Sequence, residues 1–223
     1  MRAPLPISDR AVPGRPGVMV ATQPGLPAGA AALQQRLLAD LAADADAMIG
    51  LAVALPFCAV HCLCCERDVR AGQPAEVLQA HVQHLVHEIG LLAAQIGTGH
   101  EVIQLHLGGG SANLLPPEAL AQLVHALRRH WRMPGDAELS IECDPRRASW
   151  SQMALLHGLG FGEVRFGVLD LAPAVQHAIG RLHSHALIDD ACCVAREGGI
   201  ERVHLDLMIG LPHQTATSWQ TTL

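Results

Sequence analysis

Tyrosine is absent from this 223-residue chain, and aromatic residues of all kinds make up only 3 % of it. The core must therefore be aliphatic, and with half of the residues apolar it can be sizeable. Basic charge is also short: Lys+Arg 15 stand against Asp+Glu 21, a net charge of -6. Without a basic patch, nucleic acid is excluded as the main partner. No apolar run reaches the roughly 18 residues that a membrane span requires, so no membrane partner is expected. The N-terminus carries Pro4, Pro6, Pro13 and Pro16 instead of a continuous apolar segment, which does not fit a secretory signal. The 7 cysteines are odd in number and clustered, which makes a poor disulfide framework. A reducing cytoplasm is the expected setting.

What is present is concentrated in one stretch. Cys58, Cys62, Cys64 and Cys65 follow a short apolar run and Pro56. Three of them, Cys58, Cys62 and Cys65, have the spacing C-x3-C-x2-C. Thiolates this close together suit a soft metal centre. Zinc is the competitor, but a structural zinc site wants four ligands, usually from two separated knuckles. Three thiolates can instead hold three corners of a [4Fe–4S] cube, leaving one iron open to a small molecule. Inert buried thiols are the third alternative.

The rest of the chain alternates. Residues 1–30 are rich in Pro, Gly and Ala and read as an extended or disordered arm, with 31–223 as the core. Helical periodicity marks 28–48, 75–97, 117–130, 148–159, 185–198 and a final start at 215–223. Strand patterns mark 50–55, 101–107, 138–142, 163–168 and 201–207. About five parallel strands joined by short helical crossovers make an α/β fold, a partial (β/α) barrel of the TIM type. Such barrels place their chemistry at the C-terminal ends of the strands. The cysteine loop, Gly108-Gly109-Gly110-Ser111, Glu142 and Asp206 all sit there. Glu142 and Asp206 could also serve as helix caps. His81, His84 and His87 recur on one helix and read as an exposed face. Cys192 and Cys193 read as inert, and Cys143 as pointing away from Glu142.

Several segments carry a resemblance in order: Pro56-Phe57-Cys58, His106-Leu-Gly-Gly-Gly-Ser111, Ser140-Ile-Glu-Cys-Asp-Pro145, Gly160-Phe161, Phe166-Gly167-Val168 and Asp206-Leu-Met-Ile-Gly-Leu-Pro-His-Gln214. With Val12-Pro-Gly14 in the arm, they resemble the radical S-adenosylmethionine (radical SAM) enzymes of the oxygen-independent coproporphyrinogen III oxidase family. The chain covers about the first half of such a protein, so the core is expected to be incomplete at its C-terminus.

The resemblance implies that Cys58, Cys62 and Cys65 ligate a [4Fe–4S] cluster. It implies that Gly109, Gly110, Ser111, Glu142, Arg181 and Asp206 bind S-adenosylmethionine. It further implies oxidative decarboxylation of coproporphyrinogen III to protoporphyrinogen IX, started by a 5′-deoxyadenosyl radical, in a monomer served by an electron donor. The sequence departs from the family pattern at Ala52 and Ala54, where tyrosine and histidine are usual, at Cys64, at Glu66 and Arg67 in place of Gly-Cys, and at Leu169 in place of glutamine. These departures bring in two alternatives: a haem-chaperone-like tetrapyrrole binder with a cluster but no turnover, and an inactive remnant.

Overall fold

The computed structural model describes residues 18–21 and 28–223. The other arm residues, including Val12-Pro13-Gly14, lie outside the described residues. The main sheet is parallel throughout, in the order β1-β2-β5-β6-β7-β8. Its strands are β1 Val18–Ala21, β2 Met48–Ala54, β5 Glu101–Gly108, β6 Glu138–Cys143, β7 Glu163–Leu169 and β8 Arg202–Leu207. The last five are the expected ones. The sixth comes from the arm and pairs with β2 at the opposite edge from β8. A separate two-stranded ladder, β3 Phe57–Cys58 with β4 Arg70–Ala71, closes the cysteine loop on itself.

Helices α1 Ala28–Ala43, α2 Ala75–Ile96, α3 Pro117–His130, α4 Trp150–Gly158, α5 Pro173–Ile179, α6 His185–Glu197 and α7 Ala216–Thr222 fill the connections. Their ends follow local chemistry. Pro117 opens α3, where a missing N–H costs nothing, and Arg128, Arg129 and His130 in the last turn suit the negative end of the dipole. Ser149, Ser184 and Thr215 cap α4, α6 and α7 by accepting backbone N–H groups. The first helix stops earlier than its periodicity suggests. Asp44 Oδ1 accepts from the Asp46 N–H at 3.3 Å, and this turn replaces the last helical residues. Helix α5 was not expected from periodicity. Pro173 at its start and a left-handed Gly180 at its end were the available signals.

Alternation along the strands sorts the sheet into two faces. Leu105, Leu107, Leu139, Ile141, Cys143, Val164, Phe166 and Val168 are buried in the main core with residues of α2, α3, α4 and α6. Cys143 thus points away from Glu142, as expected. The other face carries His106, Ser140, Glu142, Glu163, Arg165, His204 and Asp206, only partly buried or exposed. A filled barrel would pack aliphatic layers there. Here that face carries charged and polar side chains instead.

Candidate active site at the carboxyl end of the sheet

Because every strand of the sheet runs the same way, the loops after β2, β5, β6 and β7 open on one side. Cys58 lies in β3. Cys62, Cys64 and Cys65 follow it in a turn closed by Cys65 N–H donating to Cys62 O at 3.1 Å. All four thiols are free and partly buried. Ser111 Oγ lies 3.8 Å from Cys58 Sγ, a contact within reach for sulfur, and Arg181 donates to Cys62 Sγ at 3.4 Å. Burial is the main influence that pushes the Cys58 thiol above its ordinary range; hydrogen bonds from Ser111 oppose it, and the neighbouring Cys65 and Cys62 add to it. A bound metal would reverse that balance by taking the thiolate.

Glycines build the floor below this loop. A Cβ on Gly110 would overlap the backbone of Leu55 and Phe57. Ser111 N–H then donates to Phe57 O at 2.7 Å. Gly109 takes φ +97 and lies against Ala54. The glycine run therefore lets the chain's own backbone approach and locks the cysteine loop onto the end of β5.

Glu142 sits at the centre. Its Oε2 accepts from Arg67 Nη1 at 2.7 Å and from the Gly109 N–H at 3.3 Å. Arg67 Nη2 is 3.5 Å from Oε1, as is His106 Nε2. His106 is in turn held by Ser140 Oγ, 2.8 Å from Nδ1. Burial alone would raise this carboxyl, but the hydrogen bonds of His106 and Arg67, with the Arg67 charge, outweigh it and hold Glu142 down at about 2.

Arg181 lies against β7, one strand further on, and Asp206 is on β8, two strands on. Arg181 Nε donates to Gly167 O at 2.9 Å, so the side chain bridges β7 and the cysteine loop. Asp206, paired in register with Gly167, accepts from Arg165 Nη2 at 2.9 Å. Cys58, Gly109, Gly110, Ser111 and Glu142 thus form one contact set, and Cys62 and Arg181 a second. Asp206 pairs with Arg165 rather than with either set. His81, far from an open helix face, packs edge-on against Phe57 at 5.0 Å with a buried Nε2 that has no partner.

Three features of the site escaped the sequence reading. Arg67 pairs with Glu142. Gln214 donates to Asp170 Oδ2 at 2.6 Å and to Met208 O at 2.9 Å, and accepts from Gly210 N–H at 2.7 Å, so it fixes the loop after β8. Leu169 adopts φ 70, an unusual conformation for a branched side chain. Beside the cysteine loop runs a groove of about 320 Å³, lined by Leu63, Cys64, Ile179, Ile209 and Leu211. Leu63 and Ile209 are almost fully exposed at its rim.

Among the described residues, no three His, Cys, Asp or Glu side chains converge as they would around one metal ion. Thiols spread along one loop suit a polynuclear cluster, which takes one thiolate per iron, better than a single zinc. Arg67, Arg146 and Arg181 surround these thiols with positive charge, which suits an anionic thiolate cluster.

Residues 53–223 match the family model described as the Radical SAM superfamily. The chain is 33% identical over 188 residues to an oxygen-independent coproporphyrinogen III oxidase of Bradyrhizobium diazoefficiens, covering 84% of this chain and 41% of that protein. It is 34% identical over 196 residues to the enzyme of that name from Escherichia coli, covering 85% and 41%. The structure of Escherichia coli coproporphyrinogen III oxidase superposes with a TM-score of 0.78 at 31% identity, over 84% of this chain and 43% of that one. A radical S-adenosylmethionine methyltransferase from Kitasatospora setae shares the fold at a TM-score of 0.50 and 19% identity, over 74% and 31%. The chain spans about two fifths of the length of the curated relatives it matches.

Proposed function

The chain belongs to the radical SAM superfamily, and from that premise we propose that it serves as a radical SAM oxidoreductase of tetrapyrrole synthesis, acting on coproporphyrinogen III or a close relative. One observation carries this reading: the three-thiol loop is pinned to the glycine turn and to Glu142 at the end of one parallel sheet. Cys58, Cys62 and Cys65 would hold a [4Fe–4S] cluster, and S-adenosylmethionine would lie on the polar face beside it. When bound, these groups supply one-electron radical chemistry that no side chain of this chain can provide.

The protein's own contribution is orientation. Glu142, ionised at any physiological pH, offers an acceptor at the strand end. Arg181 offers a fixed cation for a carboxylate, with Gly167 O holding its geometry. The Gly109 N–H donates to Glu142, and Ser111 Oγ lies against the Cys58 thiol. In the proposed reaction a propionate side chain of the porphyrinogen loses CO2, one proton and two electrons and becomes a vinyl group; one electron would leave with the proton as a hydrogen atom to the radical that S-adenosylmethionine supplies, and the other would pass to an external electron acceptor. An external electron donor would be needed to start each cycle.

Anaerobic reconstitution with iron and sulfide tests the reading. The expected results are a broad visible absorbance bleached by dithionite, release of 5′-deoxyadenosine from S-adenosylmethionine, and loss of CO2 from coproporphyrinogen III. A cluster that leaves S-adenosylmethionine intact while the chain binds haem stoichiometrically would make it a tetrapyrrole carrier instead. An unimpaired fold that takes up no iron would end both readings.

A further inference from the structure

The same carboxylate that would receive S-adenosylmethionine is already satisfied from within. Glu142 has two oxygens, and four donors or near-donors surround them: Arg67 on both, Gly109 N–H on Oε2 and His106 on Oε1. Two of these belong to the scaffold. Gly109 is backbone, and His106 is seated in β5 and held by Ser140. Arg67 differs from both. It stands on the cysteine loop two residues past Cys65, and its side chain is 57% exposed against 22% for Glu142. A guanidinium bound to a carboxylate through two nitrogens presents the same chemistry as a ligand ammonium or a pair of ligand hydroxyls.

We infer that Arg67 is a built-in competitor for Glu142, which a cationic or multiply donating ligand must displace before it can bind there. The inference rests on the proposed S-adenosylmethionine site. It makes Arg67 a residue that sets affinity and selectivity. A ligand lacking an ammonium or a comparable donor cannot replace the guanidinium without leaving Glu142 partly unsatisfied in a half-buried position. The pair spans 75 residues of sequence and ties the segment after Cys65 to β6, so displacement also frees that segment.

The test uses the full chain, as isolated and after anaerobic reconstitution with iron and sulfide. S-adenosylmethionine binding is measured by equilibrium dialysis for wild type, Arg67→Ala, Glu142→Gln and the double variant. Arg67→Ala should tighten binding roughly fivefold, the scale of a partly exposed ion pair. In the Glu142→Gln background the same substitution should change nothing. A second readout does not depend on affinity: modification of Arg67 by phenylglyoxal, followed by mass spectrometry. It should quicken in Glu142→Gln and, in wild type, on addition of S-adenosylmethionine. Unchanged or weaker binding by Arg67→Ala, or slower Arg67 modification with ligand present, would overturn the competition. If neither wild type nor Arg67→Ala binds S-adenosylmethionine although Glu142→Gln still exposes Arg67, the cofactor site itself fails, and the competition with it.

Discussion

Gly110 lies so close to Phe57 that a methyl group on Gly110 would overlap the Phe57 carbonyl oxygen. That carbonyl also receives the next N–H, from Ser111, at 2.7 Å. The cysteine loop and the glycine turn are thus one backbone unit, and both neighbours of the would-be methyl are main chain. Gly110→Ala should cost about 1–3 kcal/mol, the range for an overpacked site that cannot relax, and should reduce iron uptake because Cys58 follows Phe57. Gly90 provides the contrast. It lies inside α2 with nothing within 4 Å of its missing Cβ, so Gly90→Ala should stabilise by roughly 0.5–1 kcal/mol. Urea denaturation with iron analysis of both variants checks the pair.

The four clustered cysteines should separate into two kinds. Cys58, Cys62 and Cys65 are proposed as ligands, so each alanine variant should lose most of its iron after reconstitution. Cys64 packs with Val175, Ile179 and Leu211 in a small apolar cluster instead. Cys64→Ala should keep its iron and lose about 1 kcal/mol of stability from the cavity. Iron per chain, read beside visible absorbance, decides this. Equal loss in all four variants would put Cys64 among the ligands.

His183 should make the fold acid-sensitive. The residue is buried, with both ring nitrogens unpartnered. Burial first, and then the Arg181 and Arg146 charges, push its imidazole down from the ordinary 6.5 to about 4. The folded state therefore binds the proton less well than the unfolded state. Stability is retained above 6.5 and lost as pH falls from there towards 4, by up to about 3 kcal/mol. Glu142, held at about 2, acts in the same sense at lower pH, since its contribution is present above the ordinary carboxylate range and disappears as pH falls towards 2. Denaturation curves at pH 7 and pH 4.5 should diverge for wild type and converge for His183→Leu. An equal pH slope in the variant would remove His183 as the cause.

Asp170 and Gln214 should control the loop after β8. Asp170 is fully buried and accepts from the Ala172 N–H, Thr222 Oγ1 and Gln214 Nε2. Gln214→Ala leaves one carboxylate oxygen short of a donor and frees Gly210 and Met208. A destabilisation of about 1–3 kcal/mol is expected. Amide exchange should accelerate over residues 208–214 while β5 and β6 stay protected. Uniform acceleration across the sheet would mean a global effect instead.

Much of the architecture was legible along the chain. The five main-sheet strands β2, β5, β6, β7 and β8 and most helices follow from apolar alternation and from Pro, Gly and Ser at element ends, signals that act within a few residues. Spacing singled out Cys58, Cys62 and Cys65 within the cluster, and the family resemblance made them the ligand candidates. What the patterns left out was short, or owed its form to partners elsewhere. Val18–Ala21 is a strand because the β2 edge is there to receive it. Helix α5 is a seven-residue segment signalled only at its ends, by Pro173 and the left-handed Gly180.

The strand ends that hold the candidate site residues were readable for a simple reason: a parallel sheet with short crossovers sends every such end to one side, whatever the details of packing. Which side chains meet across that end was not readable. Arg67 reaches Glu142 over 75 residues, Arg165 takes Asp206 over 41, and Arg181 meets Cys62 over 119. These encounters depend on strand order, register and the shear between neighbouring strands. No local period encodes them, and a one-residue slip would send the strand side chains Glu142, Arg165 and Asp206 to the opposite face.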